Sequence, residues 1–237
     1  MTDIYTIKTE NHIFQTKIRK TSYGHFIEIN GITFSGSMEL LLNHTFSNVV
    51  SQVHAETKNL STVVAMLKGA LQLCKTLFNA SIFEFSDYST TCSSSVQRPL
   101  SLAHSYIIDY MKTWYEFHFN AKIKEDEQYD LYRKNLEKLK QPISLDFEKF
   151  CIKYHIEQYE ALEPFYKKAK SWLDFLQSIP RLEQCNRIID SIIDFKPSHE
   201  TWIIDVNNME PIQMIILPHE EIHTTFSNSR YLGSTEM

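Results

Sequence analysis

Residues 60–87, LSTVVAMLKGALQLCKTLFNASIFEFSD, constrain the fold more than any other stretch. Val63, Val64, Met66, Leu67, Ala70, Leu71, Cys74, Leu77 and Phe78 recur at spacings of three and four, one apolar stripe on a helix of about 17 residues. ASIFEF (80–85) follows at once with apolar residues on both faces, the pattern of an interior strand. A striped helix and a two-sided strand this close together need one another for burial. The pattern predicts a helix over 60–78 leading directly into a strand over 81–86 inside a mixed sheet, with Ser61 or Thr62 capping the helix start.

The first 45 residues read as β-structure. HIFQTKI (12–18), HFIEI (25–29) and ITF (32–34) are rich in β-branched and aromatic residues. Asn30-Gly31 between two of them is a hairpin signal, because both turn positions want positive φ. SYG (22–24) marks a second turn, MELLLNH (38–44) fits either a strand or a helix, and NVVSQVHAE (48–56) reads as another strand. After the opening stretch, SDYSTTCSSSVQRP (86–99) is a polar loop, SLAHSYIIDYMKTWYEFHF (101–119) a second helix, and NAKI the start of a further strand. From residue 124 the texture is helical, punctuated by Pro142, Pro164 and Pro180, until TWIIDV (201–206) and IQMIIL (212–217) suggest a late strand pair. The expected fold class is α+β: a mixed β-sheet with flanking helices over 1–123, and a mainly helical extension over 124–237 that belongs to the same domain or packs beside it.

Composition narrows the function classes. The net charge of −5 argues against a non-specific polyanion binder, and no nucleic-acid partner is indicated. No apolar run reaches the roughly 18 residues that span a bilayer. The N-terminal MTDIYTIKTENHIF lacks the basic start and apolar core of a secretory signal. No membrane association and a cytoplasmic location are therefore expected. Cys74, Cys92, Cys151 and Cys185 contain no CxxC pair, so they read as reduced thiols. No Walker loop, no dinucleotide GxGxxG and no Ser/His/Asp or Cys/His hydrolase elbow occurs.

The order of strands, hairpin, helix, strand, loop and helix resembles the GCN5-related N-acetyltransferases, locally over 54–121. The helix body VVAMLKGALQLCKTLF, the strand SIFEFSD and the segment LAHSYIIDYMKTWYEFHFNA carry the likeness. KTWYEFHFNA is also similar to uncharacterised proteins of large DNA viruses, which implies the host cytoplasm or the virion as location. The resemblance implies acyl-CoA-dependent N-acyltransfer. An amine would attack the thioester, the strand around 48–56 would hold pantetheine, and Tyr115 would protonate the departing thiolate, with Phe119 as its neighbouring aromatic. It implies acetyl-CoA as cofactor, its pyrophosphate held at the helix start by Lys58, Asn59, Ser61 and Thr62. The family's loop reads Q/R-x-x-G-x-G/A. Here Glu56 replaces the first residue and Asn59 and Ser61 replace the glycines, adding charge and bulk where an anion must approach closely. The resemblance therefore implies a scaffold whose chemistry is reduced or lost. The rival class is a non-catalytic structural or protein-binding protein on the same scaffold; the partner is then a protein rather than a small amine substrate.

Each of these residues has an ordinary reading beside the functional one. Lys58, Ser61 and Thr62 also describe a plain helix cap, Tyr115 a core aromatic, and His54, considered as a base, a satisfied histidine. PHEEIH (218–223) contains the HExxH zinc pattern, but the third ligand of its extended form is missing and a strand leads into it, so no metal is expected. KEDEQYDLYRKNLEKLK reads as a solvated helix face with pairs such as Glu137–Lys140, and Trp114, Trp172 and Trp202 as core or interface anchors.

Overall fold

A computed structural model describes residues 2–33, 37–43, 49–55, 59–86, 101–156, 159–180, 183–196, 200–210 and 212–218. The chain divides into two compact units, residues 1–85 with 204–237 and residues 86–203. That partition does not fall at the 123/124 boundary expected from the sequence, because the C-terminal strand returns to the N-terminal sheet.

In the first unit, β1 (Thr2–Thr9), β2 (Ile13–Lys20), β3 (Gly24–Gly31), β4 (Ser37–Asn43) and β5 (Val49–Ala55) form an antiparallel meander. α1 (Leu60–Phe78) then crosses over to β6 (Ile82–Ser86), which runs parallel to β5 through Val49↔Glu84 and Val50↔Phe85. A parallel pair needs a long connection, and α1 is that connection. β9 (Met214–Pro218) closes the far edge antiparallel to β1. The period-2 burial in β2, β3 and β4 is strict: Phe14, Thr16 and Ile18, then Ile27 and Ile29, then Met38, Leu40 and Leu42 are buried. MELLLN is therefore a strand, and its Leu run is read out alternately rather than as a helix stripe.

α1 buries Met66, Leu67, Ala70, Leu71, Leu73 and Cys74. Gly69 decides how close it comes to the sheet. A Cβ at that position would lie 2.7 Å from Phe14 Cζ and 3.6 Å from Ile7 Cγ2. The helix ends at Asn79, whose left-handed φ of 54° suits Asn better than most residues and turns the chain into β6.

The second unit is helical. α2 (Leu102–Tyr110), α3 (Trp114–Phe119), α4 (Asp126–Leu136), α5 (Phe147–Tyr154), α6 (Glu163–Lys168), α7 (Trp172–Ser178) and α8 (Glu183–Ile193) carry most of it, with the short β7 (Lys122–Ile123). β7 pairs with Trp202 and Ile203 at the start of β8 (Thr201–Asp205), the strand through which the division between the units passes. The unit's centre is aromatic: Phe150 is fully buried and lies 4.7 Å from the Tyr166 ring and 5.3 Å from the Phe175 ring. Trp114, Trp172 and Trp202 are all buried, as core anchors should be.

Three local expectations change. The helix expected over 101–119 is two, because Met111 adopts φ 56° and Thr113 then starts α3 with a capping box to Glu116. The signal was present in the sequence as Thr113-x-x-Glu116. Asn30-Gly31 is no hairpin turn: both residues belong to the end of β3, where Asn30 faces Gln15 and Ser37. The segments 201–206 and 212–217 form strands, but not with one another; β8 lies beside β6 and β9 beside β1. Both edges offered unsatisfied backbone groups, and sequence pattern cannot say which edge a late strand completes.

The close seat of α1 makes a direct prediction. Gly69→Val should lose about 2 kcal/mol of stability, because overpacking against Phe14 outweighs the helix-propensity gain over Gly of under ~1 kcal/mol. Urea unfolding measures this, with an unchanged slope expected.

Candidate functional site

The start of α1 satisfies its own donors. The N-cap is Asn59, in extended conformation, and not Ser61 or Thr62 as the sequence suggests; its Oδ1 accepts the Ser61 N–H at 3.0 Å, the Thr62 N–H at 3.4 Å and the Ser61 hydroxyl at 2.7 Å. The Asn59 carbonyl accepts the Val63 N–H at 3.1 Å. Thr62 Oγ1 lies 3.3 Å from His12 Nε2, tying the first turn of the helix to the β1–β2 turn. That turn is held in turn by Thr9, whose N–H donates to the His12 carbonyl at 2.8 Å while its hydroxyl accepts the His12 N–H at 3.0 Å.

Beside this helix start lies a cleft of about 580 Å³. Three pieces of the first unit form it: the β1–β2 turn (Thr9 to His12), the face of α1 carrying Ser61, Val64, Ala65 and Lys68, and Glu210, Ile212 and Gln213 ahead of β9. Lys68 is 6% exposed, an unusual place for an ammonium. Its Nζ donates to the Glu210 carbonyl at 3.3 Å and lies 4.0 Å from Glu210 Oε2, on a side chain that is 90% exposed. Burial pushes the Lys68 pKa below its ordinary 10.5, and the Glu210 carboxylate acts the other way.

Of the residues singled out from the sequence, Asn59, Ser61 and Thr62 come together at the helix start, with Ser61 on the cleft wall. Lys58 lies outside the described residues, as do Glu56, Cys92 and the HExxH segment 219–223. Among the described residues no group of His, Cys, Asp and Glu is arranged to hold a metal ion. Tyr115 belongs to the other unit. It is 8% exposed on α3, its ring 4.9 Å from that of Trp114 and 6.4 Å from that of Phe119. His54 lies in β5 opposite Glu39. Cys74, Cys151 and Cys185 are buried thiols, and burial pushes Cys74 up to about 12, far from a reactive thiolate. Glu137 and Lys140 pair at 2.8 Å on the exposed surface. Among the described residues no helix is long and apolar enough to cross a membrane.

Sequence reasoning missed Lys68, His12 and Glu210. A visible signal existed for the first: Lys68 interrupts the apolar stripe one turn after Val64. It also missed two polar clusters of the helical unit. Buried Glu116 accepts from the Thr113 N–H and the Tyr132 hydroxyl at 2.7 Å each and from the Tyr129 hydroxyl at 3.1 Å. Ser101, His104 and Asp190 form a chain in which His104 Nδ1 meets the Ser101 hydroxyl and Nε2 meets Asp190 Oδ1 at 2.7 Å. Ser101 Oγ also accepts the His104 N–H as the α2 cap, and the Ser101 N–H goes to Asn186 Oδ1. Its oxygen is thus committed to the cap, and the cluster clasps α2 to α8.

Two predictions follow from this geometry. Asn59→Ala should cost about 1 kcal/mol, the usual value of a helix cap, read by thermal or urea unfolding. Lys68→Met should change the pH dependence of stability. With its folded pKa below 10.5, Lys68 binds a proton more weakly in the folded than in the unfolded chain, so its contribution to stability improves as pH rises through the folded pKa toward 10.5 and worsens as pH falls. The stability of Lys68→Met relative to the native protein should be highest near neutral pH and decline toward pH 10.5 in matched unfolding curves.

No family model matches the sequence, and no curated protein and no solved structure matches it.

Proposed function

We propose that this protein is an acyl-CoA N-acyltransferase-like scaffold that has kept the strand–helix–strand crossover and lost its grip on the cofactor, and that it works by binding rather than by acetyl transfer. The parallel β5–α1–β6 unit at the side of an antiparallel meander supports the scaffold part. It places a helix start just after the carboxyl end of a sheet strand, where ligands of such sheets gather.

The observation that carries the binding part is the cap at Asn59. A pyrophosphate needs free N–H groups converging at the helix start. Here the Ser61 and Thr62 donors go to Asn59 Oδ1 and the Val63 donor to the Asn59 carbonyl. The residues present do not fit the cofactor's pyrophosphate, and no chemical step is routed through it. Tyr115, the residue placed as general acid by resemblance, serves as packing in α3 on this reading.

Isothermal titration with acetyl-CoA tests the reading. The native protein should give a flat trace up to millimolar ligand, and Asn59→Gly, which frees the two donors, should bind more tightly than the native chain. Low-micromolar binding by the native protein overturns it and makes an active acyltransferase the better account. In that event Tyr115→Phe should slow turnover while leaving binding nearly intact.

A further inference from the structure

We propose that the cleft beside the first half of α1 binds a small α-amino acid, its carboxylate on the Lys68 ammonium and its amino group toward the carboxylates of Glu10 and Glu210. The inference stands apart from the acyl-CoA reading, since it uses the flank of α1 and none of the backbone donors at its start.

The first ground is Lys68 itself. An ammonium carries three N–H donors. Among the described residues this one, on a side chain only 8% exposed, has a single acceptor at 3.3 Å, and its nearest carboxylate oxygen stands at 4.0 Å, beyond hydrogen-bond reach. A buried charge left with such thin compensation is unfavourable, and a ligand carboxylate would supply the missing charge-assisted bonds. The cleft it lines is open to a ligand of that kind, with a volume well above that of a small amino acid.

The second ground is the order of charge across the cleft. Lys68 forms the inner wall, while Glu10 and Glu210 are exposed at the mouth. Among the described residues Glu10 has no ion pair, and Glu210 has only the long one to Lys68. A cation inside and two anions outside match a molecule that is negative at one end and positive at the other. The same arrangement repels phosphates and dicarboxylates, whose extra charge would meet the mouth. His12, the remaining titratable group on the wall, is engaged with Thr62. Val64, Ala65 and Ile212 give the cleft an apolar strip, which suits a short aliphatic side chain.

Three matched probes test the proposal: L-norvaline, its deaminated acid pentanoate, and its decarboxylated amine butylamine. Binding to the 237-residue chain is followed by isothermal titration and by amide NMR shifts at Thr9–His12 and Ser61–Lys68. Norvaline should bind at least about tenfold more tightly than either half-probe, the size of one well-placed charged contact. Lys68→Met should reduce norvaline to the level of butylamine. The double variant Glu10→Gln with Glu210→Gln, at exposed positions that leave folding intact, should reduce it to the level of pentanoate. Equal binding of norvaline and pentanoate in the native protein overturns the proposal in favour of a simple anion site. Norvaline affinity that survives Lys68→Met, or no shift at these amides at millimolar norvaline, overturns it outright.

Discussion

The contact between Gly69 and Phe14 governs the first unit. With no side chain at Gly69, α1 comes down until the Phe14 ring occupies the space where a Cβ would stand. That depth lets Met66, Ala70 and Leu73 reach complete burial on the meander. It also drags the neighbouring residue with it. Lys68 precedes Gly69 in a helix that cannot rise, so its ammonium is held low against the segment before β9 rather than free in water. The most unusual charge of the unit is thus a by-product of its tightest packing contact. In a chain with only five glycines, one of them is spent on this approach.

The helix start and the helix flank have opposite characters. At the start, Asn59 answers the backbone donors and leaves little for a ligand. Along the flank, about two turns further on, Lys68 is under-satisfied in the cleft. A site reveals itself by unmet demand, because buried polar groups that are fully paired gain nothing from a ligand. By that measure the flank, and not the start, is where the first unit is prepared to bind.

The helical unit shows the same bookkeeping completed. Glu116 is 5% exposed, yet it receives one backbone and two tyrosine donors and has Arg133 Nη1 at 3.6 Å. Burial, reinforced by the Glu116 charge, holds Tyr132 well above its ordinary pKa and Tyr129 at about 12, so both stay protonated as donors. Ser101, His104 and Asp190 are likewise closed on themselves. These clusters specify how short helices meet around an aromatic core that, lacking directionality, would accept other arrangements.

By itself the sequence determined the local elements whose periodicity is strong. The stripe from Val63 to Phe78 and the strand after it appear as α1 and β6, although β6 buries Phe83 and Phe85 on one face while Ile82 on the other is exposed. The alternating strands of the meander were legible from their periodicity, and so was the helical texture of the second half. The position of the helix start was legible, but its cap was displaced: the sequence suggests Ser61 or Thr62, whereas Asn59 accepts the N–H groups of both. The break at Met111 was hidden, because a left-handed Met has no signature of its own, although the Thr113–Glu116 box beyond it did. Tertiary structure alone decided which sheet edge each late strand completes, that Asn30-Gly31 extends a strand, and that residues 10, 12, 68 and 210 share one cleft. The edge pairings and the cleft rest on contacts between residues dozens to hundreds of positions apart, and local propensity carries no information about which distant backbone or charge will be near.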